Sequence, residues 1–256
     1  MVNILRNIAF ATALAAAGLA APAAADGIMD EPLPRFEDRL CPGIIGLDRE
    51  YAELMVTRLR ENADALGLRL ASEEACEANV VIAFVEDSRE YLAEMMDQRG
   101  YLFNDMTPFQ RRQLLESADA SGVWHQVVAR TRDGIRVGRR ENLAQVPTAG
   151  MWQAHSRIYR PVRHDITYAL VLLDRDEARG LTLRQLADYA TLRALSTEFP
   201  ADAGEGEASM LTLFEHAEKP VELTAFDRAW LERLYAGLPN IPASTRMQGV
   251  EVAEGD

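Results

Sequence analysis

Residues 181–195 read LTLRQLADYATLRAL. Thr182 and Gln185 stand three apart, the spacing at which a threonine hydroxyl and a glutamine side chain close the first turn of a helix from both sides. Behind them Leu183, Leu186, Ala187, Ala190 and Ala194 recur at a helical period and make one apolar stripe. The spacing predicts a helix over residues 182–197. Leu223-Thr224-Ala225-Phe226-Asp227 repeats the device further on. Thr224 caps, Asp227 completes the cap, and Leu231, Leu234 and Tyr235 continue the run. A closing helix is expected over 224–235. Between the two lies a small, acidic stretch from Pro200 to Ala208, read as loop, and a short apolar piece from Ser209 to Phe214.

The chain upstream alternates helix and strand signals. Residues 168–174, YALVLLD, are the most apolar run and predict a central strand over Ile166–Asp174, with another over Arg157–Arg163. Val80 to Val85 is unbroken apolar sequence, as a strand covered on both faces requires. Helices are expected from Asp48 to Leu66, with Gly67 as the glycine that ends it, from Ser88 to Arg99, and from the Thr107-Pro108-Phe109-Gln110 cap to Ala118. Asp133-Gly134 between Val123–Arg132 and Ile135–Arg139 is a hairpin signal, and 140–151 reads as loop. The order predicts an α/β (α+β) fold in one domain over 26–240, followed by a flexible acidic tail over 241–256.

Residues 1–25 have the form of a secretory signal: Arg6, an apolar run from Ile8 to Leu19, then Ala23-Ala24-Ala25. Export to a periplasmic or extracellular space is the expectation, with cleavage near Ala25. No later run is long and apolar enough to span a membrane. The net charge of −13 disfavours nucleic acid and anionic lipid as partners. Cys41 and Cys76 are the only cysteines, and an even number in an exported chain predicts one disulfide.

Helix, loop, Ser209-Met210, and then Leu223-Thr-x-x-Asp227…Leu231…Leu234-Tyr235 together resemble the matrixin branch of the zincin metalloproteases and bacterial secreted relatives of that branch. The resemblance covers about 55 residues. It implies a zincin-like mixed, twisted sheet packed with helices, an active-site-type helix at 182–197, and a Met-turn at Ser209-Met210. The same branch requires His-Glu-x-x-His-x-x-Gly-x-x-His to hold zinc and activate water. In this chain the ligand slots carry Tyr189, Arg193 and Phe199, the glutamate slot carries Ala190, and the glycine slot Ser196. A shift of register offers Asp188 and Leu192 instead. A guanidinium cannot deprotonate to ligate a metal, and phenylalanine has no donor atom. Zinc hydrolysis is therefore not expected at this helix, and no cofactor is implied.

Tyr189 and Arg193, four apart, meet on one helix face, with Asp188 beside them. One reading makes them a hydrogen-bonded plug tied to a carboxylate in a cleft that lost its ion. Another makes Arg193 the holder of a carboxylate or similar anion. As a whole the chain reads as a non-catalytic domain that binds a peptide or protein in the groove a protease uses for its substrate strand. The alternatives are an enzyme of a different class built on Asp188, Tyr189 and Arg193, or a metal held elsewhere by His155 and His164.

Overall fold

The structure, a computed structural model, describes residues 31–73, 76–138, 160–200, 203, 209–215 and 217–248. The expected signal at 1–25, the loop at 140–151, His155, and the last residues of the expected tail lie outside these. The elements run β1 (Arg35–Phe36), β2 (Pro42–Ile45), α1 (Arg49–Ala65), β3 (Val80–Val85), α2 (Ser88–Gln98), α3 (Pro108–Glu116), β4 (Ser121–Thr131), β5 (Val162–Asp174), α4 (Leu183–Leu195), α5 (Ala225–Tyr235) and α6 (Ala243–Arg246). Two 3-10 turns, Gly100–Phe103 and Met210–Thr212, lie between them.

One five-stranded sheet organises the molecule. β2, β3 and β5 lie side by side in parallel, β1 extends parallel to the start of β5, and β4 runs antiparallel along the other side of β5. The apolar runs explain the layering. Along β3, Val80, Ile82 and Phe84 face a core shared with α1 and α4, whereas Val81 and Ala83 face Leu92, Phe103 and Trp124 under α2 and its neighbours. β5 divides the same way, Val171 and Leu173 to one side and Leu170 and Leu172 to the other. A strand covered on both faces cannot alternate with polar residues, hence the continuous hydrophobicity. Each fully buried leucine or valine contributes about 1.5–3 kcal/mol against leaving it exposed.

Three expectations need correction. Instead of two strands over Arg157–Arg163 and Ile166–Asp174, within the described residues β5 is one strand from Val162 to Asp174. The polar pair that suggests a break, His164-Asp165, continues the strand because the buried Asp165 carboxylate receives Arg163, with Arg130 close by. β4 matches this length through an irregularity between Gln126 and Val127. The Asp133-Gly134 turn forms, with Gly134 at φ +87 and Thr131 N–H donating to Ile135 O. Its return, however, is a single bridge between Arg130 and Arg136 rather than a strand. Ile135 and Arg136 are exposed, so no apolar layer holds that segment to a ladder.

The third concerns the tail: past residue 240 the described chain continues in α6. Ala243 enters the main core, its N–H bonds Glu31 O, and Arg246 is buried against the end of α5, donating to Leu234 O and the carbonyls of Ala236 and Leu238. Arg35 reaches the same helix end through Leu234 O and Gly237 O. Two guanidinium groups thus satisfy carbonyls that a helix terminus leaves open. Cys41 and Cys76 are joined, S–S 2.00 Å with Cα atoms 6.0 Å apart, tying the start of β2 to the connection between α1 and β3. Closing a loop of that length stabilises by ~3–4 kcal/mol on the chain-entropy model. Among the described residues no helix is long and apolar enough to cross a membrane.

Candidate functional site

α4 begins on the reciprocal cap that the sequence predicts, Thr182 with Gln185, and Gln185 also donates to Pro220 O at 2.7 Å. Its apolar stripe is wider than expected. Every residue from Gln185 to Leu192 is buried, because the sheet, α1 and α5 enclose the helix on all sides. Its polar side chains are therefore placed by specific partners.

Asp188 and Tyr189 are consecutive and so point about 100° apart on the helix. Asp188 turns towards α1 and is fully buried. Its carboxylate accepts from Arg58 Nε at 2.7 Å and Nη2 at 2.8 Å, from Asn62 Nδ2 at 2.7 Å, and from Leu223 N at 3.0 Å. Tyr189 turns towards the sheet, where its hydroxyl meets Ser121 Oγ at 2.5 Å and its ring takes Phe214 edge-on at 5.0 Å. The three-residue plug is thus not formed. Asp188 stands with Arg58, and Tyr189 bonds to β4 rather than to Arg193.

Tyr189, Arg193 and Phe199 do converge. The Arg193 guanidinium carbon lies 6.0 Å from the centres of both rings, a cation–aromatic arrangement. Phe199 leans in turn on Trp230 of α5 at 5.9 Å. Arg193 is half-buried, its Nε is enclosed, and no acceptor reaches it among the described residues.

Facing them is β4. Ser121, Val123 and His125 share one side of that strand by its period of two. His125 Nε2 lies 3.1 Å from Ala194 O, and since a carbonyl only accepts, this nitrogen carries the proton. Burial pushes the imidazole down to about 4 against the opposing pull of that bond, with the Arg193 charge adding to the depression. Between pH 6.5 and about 4 the unfolded chain takes up a proton that the folded chain refuses, so stability falls on acidification by about 1.4 kcal/mol per pH unit from this group. Replacing His125 by Gln, which keeps a donor for Ala194 O, is expected to flatten that part of the acid profile in denaturant titrations at pH 7 and 4.5. Parallel profiles for the two proteins would refute it. His125, Ser121 and Phe214 are not among the expected site residues; only the one-side spacing of 121, 123 and 125 hints at them.

Ser209-Met210 closes the site from below. Met210 is fully buried in the main core beside α4. Ser209 Oγ donates to Asp227 Oδ1 at 2.6 Å, and Met210 N and Thr224 N donate to Oδ2, each at 2.9 Å. The cap of α5 and the Ser-Met turn are one hydrogen-bonded unit.

These residues do not fit zinc. Two aromatic rings and a guanidinium stand at the positions where the resemblance would put ligands, and the one oxygen among them, on Tyr189, is bonded to Ser121. Among the described residues no group of histidine, cysteine and carboxylate side chains could hold a metal. His164 Nδ1 lies 3.3 Å from Pro32 O; its expected partner His155 is outside the described residues.

Two hollows border β4 at its irregular point. One of about 500 Å³ is lined by Glu31, Leu33, Pro34, Thr197 and Glu198, the other of about 790 Å³ by Tyr101, Asp105, Val128, Arg136 and Val137. Val127 and His164 line both, so the hollows adjoin there. Comparison with protein-family models, curated proteins and solved structures gave no match.

Proposed function

We propose that the chain is an exported, zincin-like domain that has exchanged its metal ligands for Tyr189, Arg193 and Phe199 and binds an extended peptide or protein segment along β4. The observation that carries this is the position of β4. Among the described residues it pairs with β5 along its length, its other edge is met only at the Ala129–Thr131 end by the short return at Ile135–Val137, and two hollows border it near Val127. An edge of unpaired backbone donors and acceptors accepts an extended chain by strand addition, while flanking hollows take alternate side chains. Support for the zincin-like part is the antiparallel edge strand, the capped helix that follows β5, and the buried Ser209-Met210 turn tied to α5. Among the described residues α4 offers neither a set of zinc ligands nor a glutamate at position 190 to activate water, which favours capture over cleavage.

Amide hydrogen exchange tests it. A saturating pool of unstructured peptides should slow exchange across Ser121–Val128 and leave β2, the opposite edge, unchanged. Exchange on β4 unaffected by any pool, or zinc-dependent hydrolysis of the peptides, would overturn it.

A further inference from the structure

We infer that Arg193 reads a carboxylate carried by the peptide bound at β4; this rests on the peptide reading above. Arg35, Arg58, Arg163 and Arg246 are likewise withdrawn from solvent, and each donates to a carboxylate or carbonyl oxygen. Arg193 has no such acceptor among the described residues, and its Nε is enclosed. A guanidinium partly withdrawn from water without an acceptor is costly, and two aromatic faces offset only part of that.

The buried acids of α4 and α5 are engaged elsewhere. Asp188 is filled by Arg58, Asn62 and Leu223 N, and Asp227 by Ser209, Met210 N and Thr224 N. His125, with its pKa near 4, is neutral at pH 7 and adds no second charge. What remains is a positive fork held between two rings, one of them Phe199, which directly follows Thr197 and Glu198 on the wall of the 500 Å³ hollow. The planar fork matches a carboxylate with two parallel bonds, which a phenol, an amide or an ammonium group cannot supply. A peptide offers that group at its C-terminus or on an Asp or Glu side chain. The chain's net charge of −13 works against indiscriminate uptake of anions, so recognition must come from this local pairing.

The test uses fluorescein-labelled octapeptide pools in four forms: unmodified, C-terminally amidated, with Asp and Glu replaced by Asn and Gln, and with both changes. Binding is read by anisotropy against the folded wild-type protein, R193M and R193K. Removing the carboxylate that matters should weaken binding to wild type about tenfold or more, and the form that loses affinity tells C-terminus from side chain. R193M should bind the four pools alike, and R193K should fall between. R193M should also melt at or above wild type, since it removes an unpartnered charge and keeps the packing against both rings. A doubly modified pool that binds wild type as tightly as the unmodified one would overturn the inference and leave the peptide reading standing; that comparison needs no variant. Failure of all four pools to bind would overturn both.

Discussion

Asp188→Ala is expected to cost about 3–5 kcal/mol of folding stability, the largest effect of any single change on α4. The loss goes beyond four hydrogen bonds. Arg58, with 17% of its side chain exposed, would keep only its longer contacts to Glu61 at 3.5 Å and Glu222 at 3.6 Å, and the Leu223 N–H would be left buried with no acceptor. Asn62 would retain only Thr191 Oγ1, at 3.0 Å. Because Leu223 precedes the cap of α5, the damage should spread to that helix. Equilibrium denaturation of the purified variant measures it, and a loss of under about 1 kcal/mol, the scale of one ordinary hydrogen bond, would contradict the geometry. The double variant R58M/D188L separates a broken pair from a missing one. With both charges gone and the volume refilled, the part of the loss due to the unpaired charge should return, as replacing a buried ion pair by apolar side chains often leaves stability unchanged, while the Leu223 N–H stays without an acceptor.

Asp227→Ala is expected to cost about 3–4 kcal/mol, from the loss of a helix cap together with three orphaned donors. Ser209 Oγ, Met210 N and Thr224 N all depend on this one carboxylate, and Asp227 itself is fully buried. Asp227→Asn should fall between the variant and wild type, since an amide presents a single acceptor oxygen. The sharper readout is local. Hydrogen exchange at Met210 and Leu211 should rise in Asp227→Ala by more than global destabilisation accounts for, as the Ser-Met turn loses its attachment to α5. Uniform acceleration across the molecule would show that the turn is held by packing alone.

The helices are legible because their signals are local. Thr182 with Gln185, Thr224 with Asp227 and Thr107 with Gln110 each bring donor and acceptor three residues apart, and all three caps form. The buried runs at Val80–Val85 and Tyr168–Asp174 are legible because only a strand enclosed on both faces is so uniformly apolar. β1 and β2 are not legible. Arg35-Phe36 and Pro42–Ile45 are short, and Pro42-Gly43 gives β2 the composition of a loop; their pairing comes from β5 and β3, far along the chain. The meeting of Tyr189 and Arg193 follows from spacing alone. The direction of Asp188 does not, because its partners Arg58 and Asn62 lie 130 and 126 residues away. An acid close to a basic residue in sequence suggests an ion pair, but on a helix enclosed all round each side chain answers to the wall it faces.

The bond from Ala243 N to Glu31 O, at 3.0 Å, carries a consequence for how the domain can be handled. It brings the first and last stretches of the described body to a common corner, beside the helix end clasped by Arg35 and Arg246. Force applied through both ends would peel this corner open bond by bond before it loaded the sheet. A version cut open in a surface connection and rejoined at that corner by a short linker should fold to the same shape.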